Sequence, residues 1–124
     1  KDMSVYYTSA PKLFTLFEEY KFGRDTSENT RQILDYIANV DLLIIDDLGT
    51  EVTNNFVTSQ LFALLNERHL RQKATIISTN LSLEELRDRY SERIFSRITS
   101  NYSICKLTGK DIRMQRKLSG KLNK

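Results

Sequence analysis

An α/β fold with a mostly parallel sheet is what this sequence predicts, and three observations predict it. The apolar run Leu42-Leu43-Ile44-Ile45 has strand length and no polar alternation, the pattern of a strand buried on both faces of a parallel sheet, and Ala74-Thr75-Ile76-Ile77-Ser78-Thr79 reads as another strand of the buried type. Around them apolar residues recur at helical spacing, so strands alternate with helices as parallel connections require. At 124 residues, 40% of them hydrophobic, with four Gly and one Pro, the chain reads as one unit without repeats, linkers or biased segments.

The β-branched and aromatic Val5-Tyr6-Tyr7-Thr8 predicts a short first strand. Ser9 then caps a helix carrying Leu13, Phe14, Leu16, Phe17 and Tyr20, and Gly23-Arg24-Asp25 breaks its pattern. Ser27 opens a second helix with Ile33, Leu34 and Ile37 on one face, ending near Asn39. The strand over residues 42–45 follows and stops at two carboxylates, Asp46 and Asp47. From Thr53 to about Leu70, Phe56, Val57, Leu61, Leu64 and Leu65 mark a long amphipathic helix. The strand over residues 74–79 ends at Asn80, and Ser82 with Glu85 forms a capping box for a short helix. A further helix runs from about Ser91 through Ile94, Phe95 and Ile98. Residues 102–107 predict a last strand, and Asp111 caps a C-terminal helix over Ile112, Met114 and Leu118.

Composition narrows the function classes. A single cysteine, Cys105, excludes an internal disulfide framework and a cysteine-based zinc site, and suits a reducing, cytoplasmic compartment. No apolar run approaches the ~18 residues of a membrane span, and the opening KDMSVYYTS has no signal-peptide core. The net charge of +3 is uneven: residues 1–86 carry −5 and residues 87–124 carry +8. Such a basic end points to an anionic partner, nucleotide phosphates or a nucleic-acid backbone, unless it is a solvated surface.

The sharpest chemical signal is Leu42-Leu43-Ile44-Ile45-Asp46-Asp47-Leu48-Gly49. Open α/β sheets bind ligands beyond the carboxyl ends of their strands, and adjacent acids there concentrate charge that a cation relieves, so this segment reads as a Mg²⁺ and phosphate site. The plainer alternative is a pair of acids capping the next loop. Four apolar residues and Asp-Asp fit a Walker B segment, in which the first acid holds Mg²⁺ through water and the second orients the attacking water. They also fit the acid pair of a two-component receiver, but the strand about 30 residues on ends in Ser78-Thr79-Asn80 rather than at a phosphoacceptor Asp. Asn80 would sit beside Asp46 and Asp47 if the two strands are neighbours, where its amide could hold a water or touch a terminal phosphate. Arg93 and Arg97, at i and i+4 on one helix face, can reach phosphates, although such a pair is more often a salt-bridged surface. His69 reads as a surface residue at a helix end, Cys105 as core, and Phe14, Phe17 and Tyr20 as packing, with base stacking the functional alternative.

The order of these pieces carries a resemblance. IIDDLGTE, IISTN, ERIFSRI, and a strand followed by GKDIRMQRK are similar to the C-terminal two-thirds of the ATPase domain of DnaC/DnaI-type bacterial helicase loaders, an AAA+ family, from Val5 to about Lys117. The resemblance implies a three-layer P-loop NTPase sheet, with ATP and Mg²⁺ as cofactors. Asp46 and Asp47 then look like Walker B, with Asp46 on the metal through water, and Asn80 like sensor 1. Arg97 looks like an arginine finger presented to a neighbouring copy, with Arg93 supporting it or being the finger itself, and Arg113 like sensor 2. The implied partners are a replicative DNA helicase, single-stranded DNA and further copies of the chain, with no membrane. Lys110, Arg116, Lys117 and Lys121 are the candidate DNA contacts. Asp47 stands where most AAA+ proteins have Glu, which bears on hydrolysis rate. Gly23, Gly49, Gly109 and Gly120 provide no G-x-x-x-x-G-K-[ST] spacing. The expectation is therefore a fragment, residues 1–124 of one ATPase domain, lacking the first strand and P-loop, with its sheet missing the strand between residues 74–79 and 102–107. Alone it would bind ATP weakly and be inactive. An IstB-type transposition helper shares these motifs, and a non-catalytic nucleic-acid- or protein-binding module is the reading from another class.

Overall fold

Parallel pairing sets three strands side by side in chain order. The structure, a computed structural model, describes residues 2–22, 27–50 and 54–102. Its elements are β1 (Val5–Ser9), α1 (Ala10–Phe22), α2 (Ser27–Asn39), β2 (Leu42–Leu48), α3 (Asn55–Leu70), β3 (Ala74–Thr79), α4 (Leu83–Tyr90) and α5 (Glu92–Asn101). The sheet order is β1-β2-β3, parallel throughout, with Tyr7 opposite Ile44 and Ile44 opposite Ile76. Among the described residues no helix is long and apolar enough to cross a membrane.

Local chemistry starts the helices where the sequence signals them. Ser9 Oγ accepts from the Lys12 N–H (3.3 Å) at the head of α1, and Ser82 and Glu85 close the capping box of α4 at 3.1 and 2.8 Å. Ser91 caps α5 through the Ile94 N–H (3.4 Å). Its φ of 145° is strained for a side-chain-bearing residue and makes the corner between α4 and α5. The cap of α3 is Asn54, whose Oδ1 accepts from the Val57 N–H (2.8 Å), so the helix starts at Asn55. Thr53, the expected start, lies outside the described residues.

The core forms on one face of the sheet. Leu43 and Ile45 of β2 are buried with Leu13 and Phe17 of α1, Ile37 of α2 and Leu61 and Leu65 of α3. Among the described residues the other face is open: Tyr7 is 61% and Ile76 52% exposed, and Leu42 and Ile44 are half-buried. Burial on both faces, expected for the two apolar runs, is therefore not what the described residues show. β2 and β3 have one covered face, and β3 alternates between half-buried and exposed positions. A second correction concerns length, because β2 continues through the two carboxylates to the buried Leu48. Tyr102 leaves α5 in an extended conformation (φ −119°, ψ 142°). The rest of the expected last strand and the C-terminal helix lie outside the described residues, as does Cys105.

The N-terminal ends of β1 and β2 are tied by a reciprocal pair. The Ser4 N–H donates to Asp41 Oδ2 (3.0 Å) and the Asp41 N–H to Ser4 Oγ (2.9 Å), with Lys73 Nζ 3.5 Å from Asp41 Oδ1. The bond from the Ser4 backbone, then the Ser4 side chain and Lys73, holds the Asp41 carboxyl below its ordinary 3.8. A carboxyl depressed by folding stabilises fully above its unfolded pKa and loses that contribution as pH falls through the folded value. Urea midpoints of wild type and Asp41→Asn, measured from pH 7 downward, should differ at neutral pH and converge in acid. A gap that stays constant with pH would remove Asp41 from the acid response.

Candidate active site

At the carboxyl end of β2 the strand alternation points Ile45 into the core and Asp46 onto the open face. Tyr7 of β1 and Ser78 of β3 share that face and meet Asp46 from both sides. The Tyr7 hydroxyl donates to Asp46 Oδ2 (2.6 Å), and the Ser78 hydroxyl donates to Asp46 Oδ1. Ser78 Oγ also accepts the Asp47 N–H (3.1 Å). Asp47 takes the left-handed conformation (φ 61°), which Asp adopts more readily than most residues, where the register between β2 and β3 is irregular between Ile45 and Leu48. Beyond it Gly49 has φ 109°, and an added Cβ would lie 2.5 Å from Leu81 Cδ1, so the turn leaving the site requires glycine. Thr79 Oγ1 closes the turn by donating to the Leu48 carbonyl (2.6 Å) and accepting the Leu81 N–H (3.0 Å).

The electrostatics follow from these bonds. The Ser78 hydroxyl, then the Tyr7 hydroxyl and the Asp47 N–H, hold the Asp46 carboxyl below its ordinary value, so it is ionised at neutral pH. The same bond to Asp46 raises the Tyr7 phenol. Each carboxylate oxygen accepts one hydroxyl and keeps a further lone pair for a hard cation or its water. The described residues contain no cluster of three or more His, Cys, Asp or Glu that could hold a metal. That donor set fits Mg²⁺, which binds through one or two carboxylates, waters and substrate phosphates rather than through a protein cage.

Sequence-predicted residues fall into two places. Asp46 and Asp47 lie together, the second exposed, and Asn80 lies exposed just past β3. Among the described residues Ser78, rather than Asn80, bonds Asp46 and the Asp47 backbone. Arg93 and Arg97 lie on α5 and line an open pocket of about 620 Å³ with Phe62, Glu92, Ser96 and Ser100, which includes neither acid. The expected salt-bridged surface is absent: among the described residues neither arginine makes an ion pair. Arg113, Lys110, Arg116, Lys117 and Lys121 lie outside the described residues. Tyr7 and Ser78 were missed; period-2 alternation, combined with adjacency of the three strands, would have put both on the face of Asp46.

Comparison with known proteins gives the family and the fold. The family model described as IstB-like ATP binding protein matches residues 1–120. The replicative helicase loader DnaC of Escherichia coli strain K12 is 26% identical over 81 residues, 65% of this chain and 33% of the loader. The chain thus spans about a third of the length of the curated relatives it matches. A crystal structure of the DnaC helicase loader superposes with a TM-score of 0.66 at 25% identity, covering 82% of this chain and 59% of that one. AMPPCP-bound DnaA from Aquifex aeolicus gives 0.68 at 22% identity, covering 82% and 30%. The fold is that of an AAA+ P-loop ATPase domain, of which the described residues form the three-stranded sheet and the helices on and beside its covered face.

Proposed function

The chain belongs to the family of IstB-like ATP binding proteins, and from that premise we propose that it serves a Mg²⁺-dependent ATPase of the helicase-loader type, which uses ATP and single-stranded DNA to control delivery of a replicative helicase. The observation that carries this reading is the ionised Asp46 at the end of β2, clasped by Tyr7 and Ser78. Asp46 would hold Mg²⁺ through water, and such an ion would supply neutralisation of the charge on the phosphates. Asp47 and Asn80 orient the attacking water, and Arg113 contacts the nucleotide. Arg97, supported by Arg93, serves a nucleotide held by a neighbouring copy, which accords with a pocket separate from the acids. Lys110, Arg116, Lys117 and Lys121 contribute to single-stranded DNA binding through the +8 charge of residues 87–124. The family description favours a second reading, an IstB-type transposition helper with the same chemistry and a transposase in place of the helicase.

The trans arrangement has a direct test. Full-length Arg97→Ala and Asp46→Asn proteins should each lose assembly-dependent turnover, and mixing them should restore part of it. Restoration arises where an intact Asp46 faces an intact Arg97 across an interface. No gain above the sum of the two variants, with mixed assemblies shown by sedimentation, would reduce Arg97 to a surface residue.

A further inference from the structure

The Arg93–Arg97 pair is held by an aromatic ring rather than by carboxylates. The guanidinium carbons of Arg93 and Arg97 lie 4.5 and 5.5 Å from the ring centroid of Phe62, a half-buried residue of α3. Among the described residues Arg97 Nε is buried with no hydrogen-bond partner, so what Arg97 offers a ligand in the pocket is its terminal nitrogens. Two arginines of the chain are paired with acids instead, Arg31 with Glu28 and Asp35 and Arg71 with Glu67, while Arg87 and Arg89 lie 5.5 and 5.8 Å from the rings of Phe95 and Tyr90, one ring to each arginine rather than one ring to two. A carboxylate partner neutralises a guanidinium and occupies its N–H groups. A ring face attracts the cation through its quadrupole and leaves the charge and the donors for a ligand. Both arginines rise from one side of α5, four residues apart, so a single ring on the neighbouring helix can orient the two together.

We propose that Phe62 is the positioning residue of this pair: it holds Arg93 and Arg97 over its ring with their donors free for the phosphates of a nucleotide bound by a neighbouring copy. The inference rests on the trans role of Arg97 given above. Phe62 itself touches no phosphate. Its part is to restrict the search of two long side chains, so its loss should lower turnover in assemblies while leaving KM for ATP unchanged.

Three replacements at position 62 of the full-length protein test this. Phe62→Leu removes the ring, Phe62→Tyr keeps it, and pentafluorophenylalanine keeps the shape while reversing the charge of the face. The expected result is a roughly tenfold fall in assembly-dependent kcat for Phe62→Leu and the fluorinated ring, with KM unchanged, and near-full kcat for Phe62→Tyr. Independently of activity, the Nε–Hε NMR resonances of Arg93 and Arg97 should move in Phe62→Leu and stay in Phe62→Tyr. If Phe62→Leu does not fold, the fluorinated ring carries the test alone. Full kcat with the fluorinated ring, unmoved arginine resonances in a folded Phe62→Leu, or an equal loss in Phe62→Tyr would overturn the proposal. If Arg97→Ala keeps assembly-dependent turnover, the trans reading itself fails; if Arg97→Ala loses it and the ring variants do not, only the role of Phe62 fails.

Discussion

Arg68→Met should lower the free energy of unfolding by about 3–5 kcal/mol, seen as a fall of roughly 2 M in the urea midpoint of the full-length protein. Arg68, in the last turn of α3, has no solvent exposure. Its Nε donates to Thr75 Oγ1 (2.9 Å), Nη1 to the Ile37 carbonyl (2.8 Å) and Nη2 to the Ala74 carbonyl (2.7 Å). Ile37 lies in the last turn of α2, where carbonyls lack helical partners, and Ala74 opens β3. One guanidinium thus ties the ends of two helices to the start of a strand. Burial draws its pKa down, yet the three acceptors solvate the cation without a carboxylate. Methionine fills much of the same space, so the loss isolates the polar contribution: the buried Ile37 carbonyl is left without a donor, and the part-buried Ala74 carbonyl and Thr75 hydroxyl each lose a bond to a charged group, at about 1–3 kcal/mol apiece. Arg68→Lys, with a single ammonium, reaches fewer acceptors and should fall between. A change below about 1 kcal/mol for methionine would mean that water reaches the carbonyls and that Arg68 is no strut.

That strut was not legible in the sequence. An arginine at a helix C-terminus reads as a cation facing the dipole, and nothing in local spacing tells that β3 and the end of α2 close over it. Capping signals were legible because their chemistry spans four residues, as with Ser9 and with Ser82 and Glu85, whereas Ser91 was read only as the approximate start of α5. Asn54 follows the same rule, although the helix was expected to start at Thr53 beside it. The acid pair stood out because charge rarely follows four apolar residues, whereas Tyr7 and Ser78 reach it only through a register joining segments more than 30 residues apart. The i, i+4 spacing put Arg93 and Arg97 on one face, but Phe62 beneath them lies on another helix. A continuous apolar run in β2 marked a strand and left undecided which face the described helices cover.

Asp46→Asn should reduce ATP turnover of the full-length protein by about 100-fold or more, with the fold retained. Asparagine keeps the planar shape of the aspartate, and its amide oxygen can still accept one of the two hydroxyls, so Tyr7 and Ser78 lose at most one bond between them. What disappears is the full negative charge, the property of the residue that attracts a hard cation most strongly at neutral pH. Ser78→Ala separates orientation from charge. It leaves the carboxylate and removes both the hydroxyl on Oδ1 and the acceptor for the Asp47 N–H, so the pair of acids loses its shared anchor. Turnover should then fall about 10-fold, the usual scale for a partner that orients a metal-binding group, and more Mg²⁺ should be needed for half-maximal rate. Asp47→Asn should spare nucleotide affinity more than turnover, because its part lies with the attacking water. Circular dichroism checks folding for all three variants, and Mg²⁺ titration of rate and of nucleotide affinity separates their effects. Turnover of Asp46→Asn equal to wild type would sink the metal role of Asp46. A Mg²⁺ dependence unchanged in Ser78→Ala would leave Asp46 as the ligand and return Ser78 to a purely structural contact between β2 and β3.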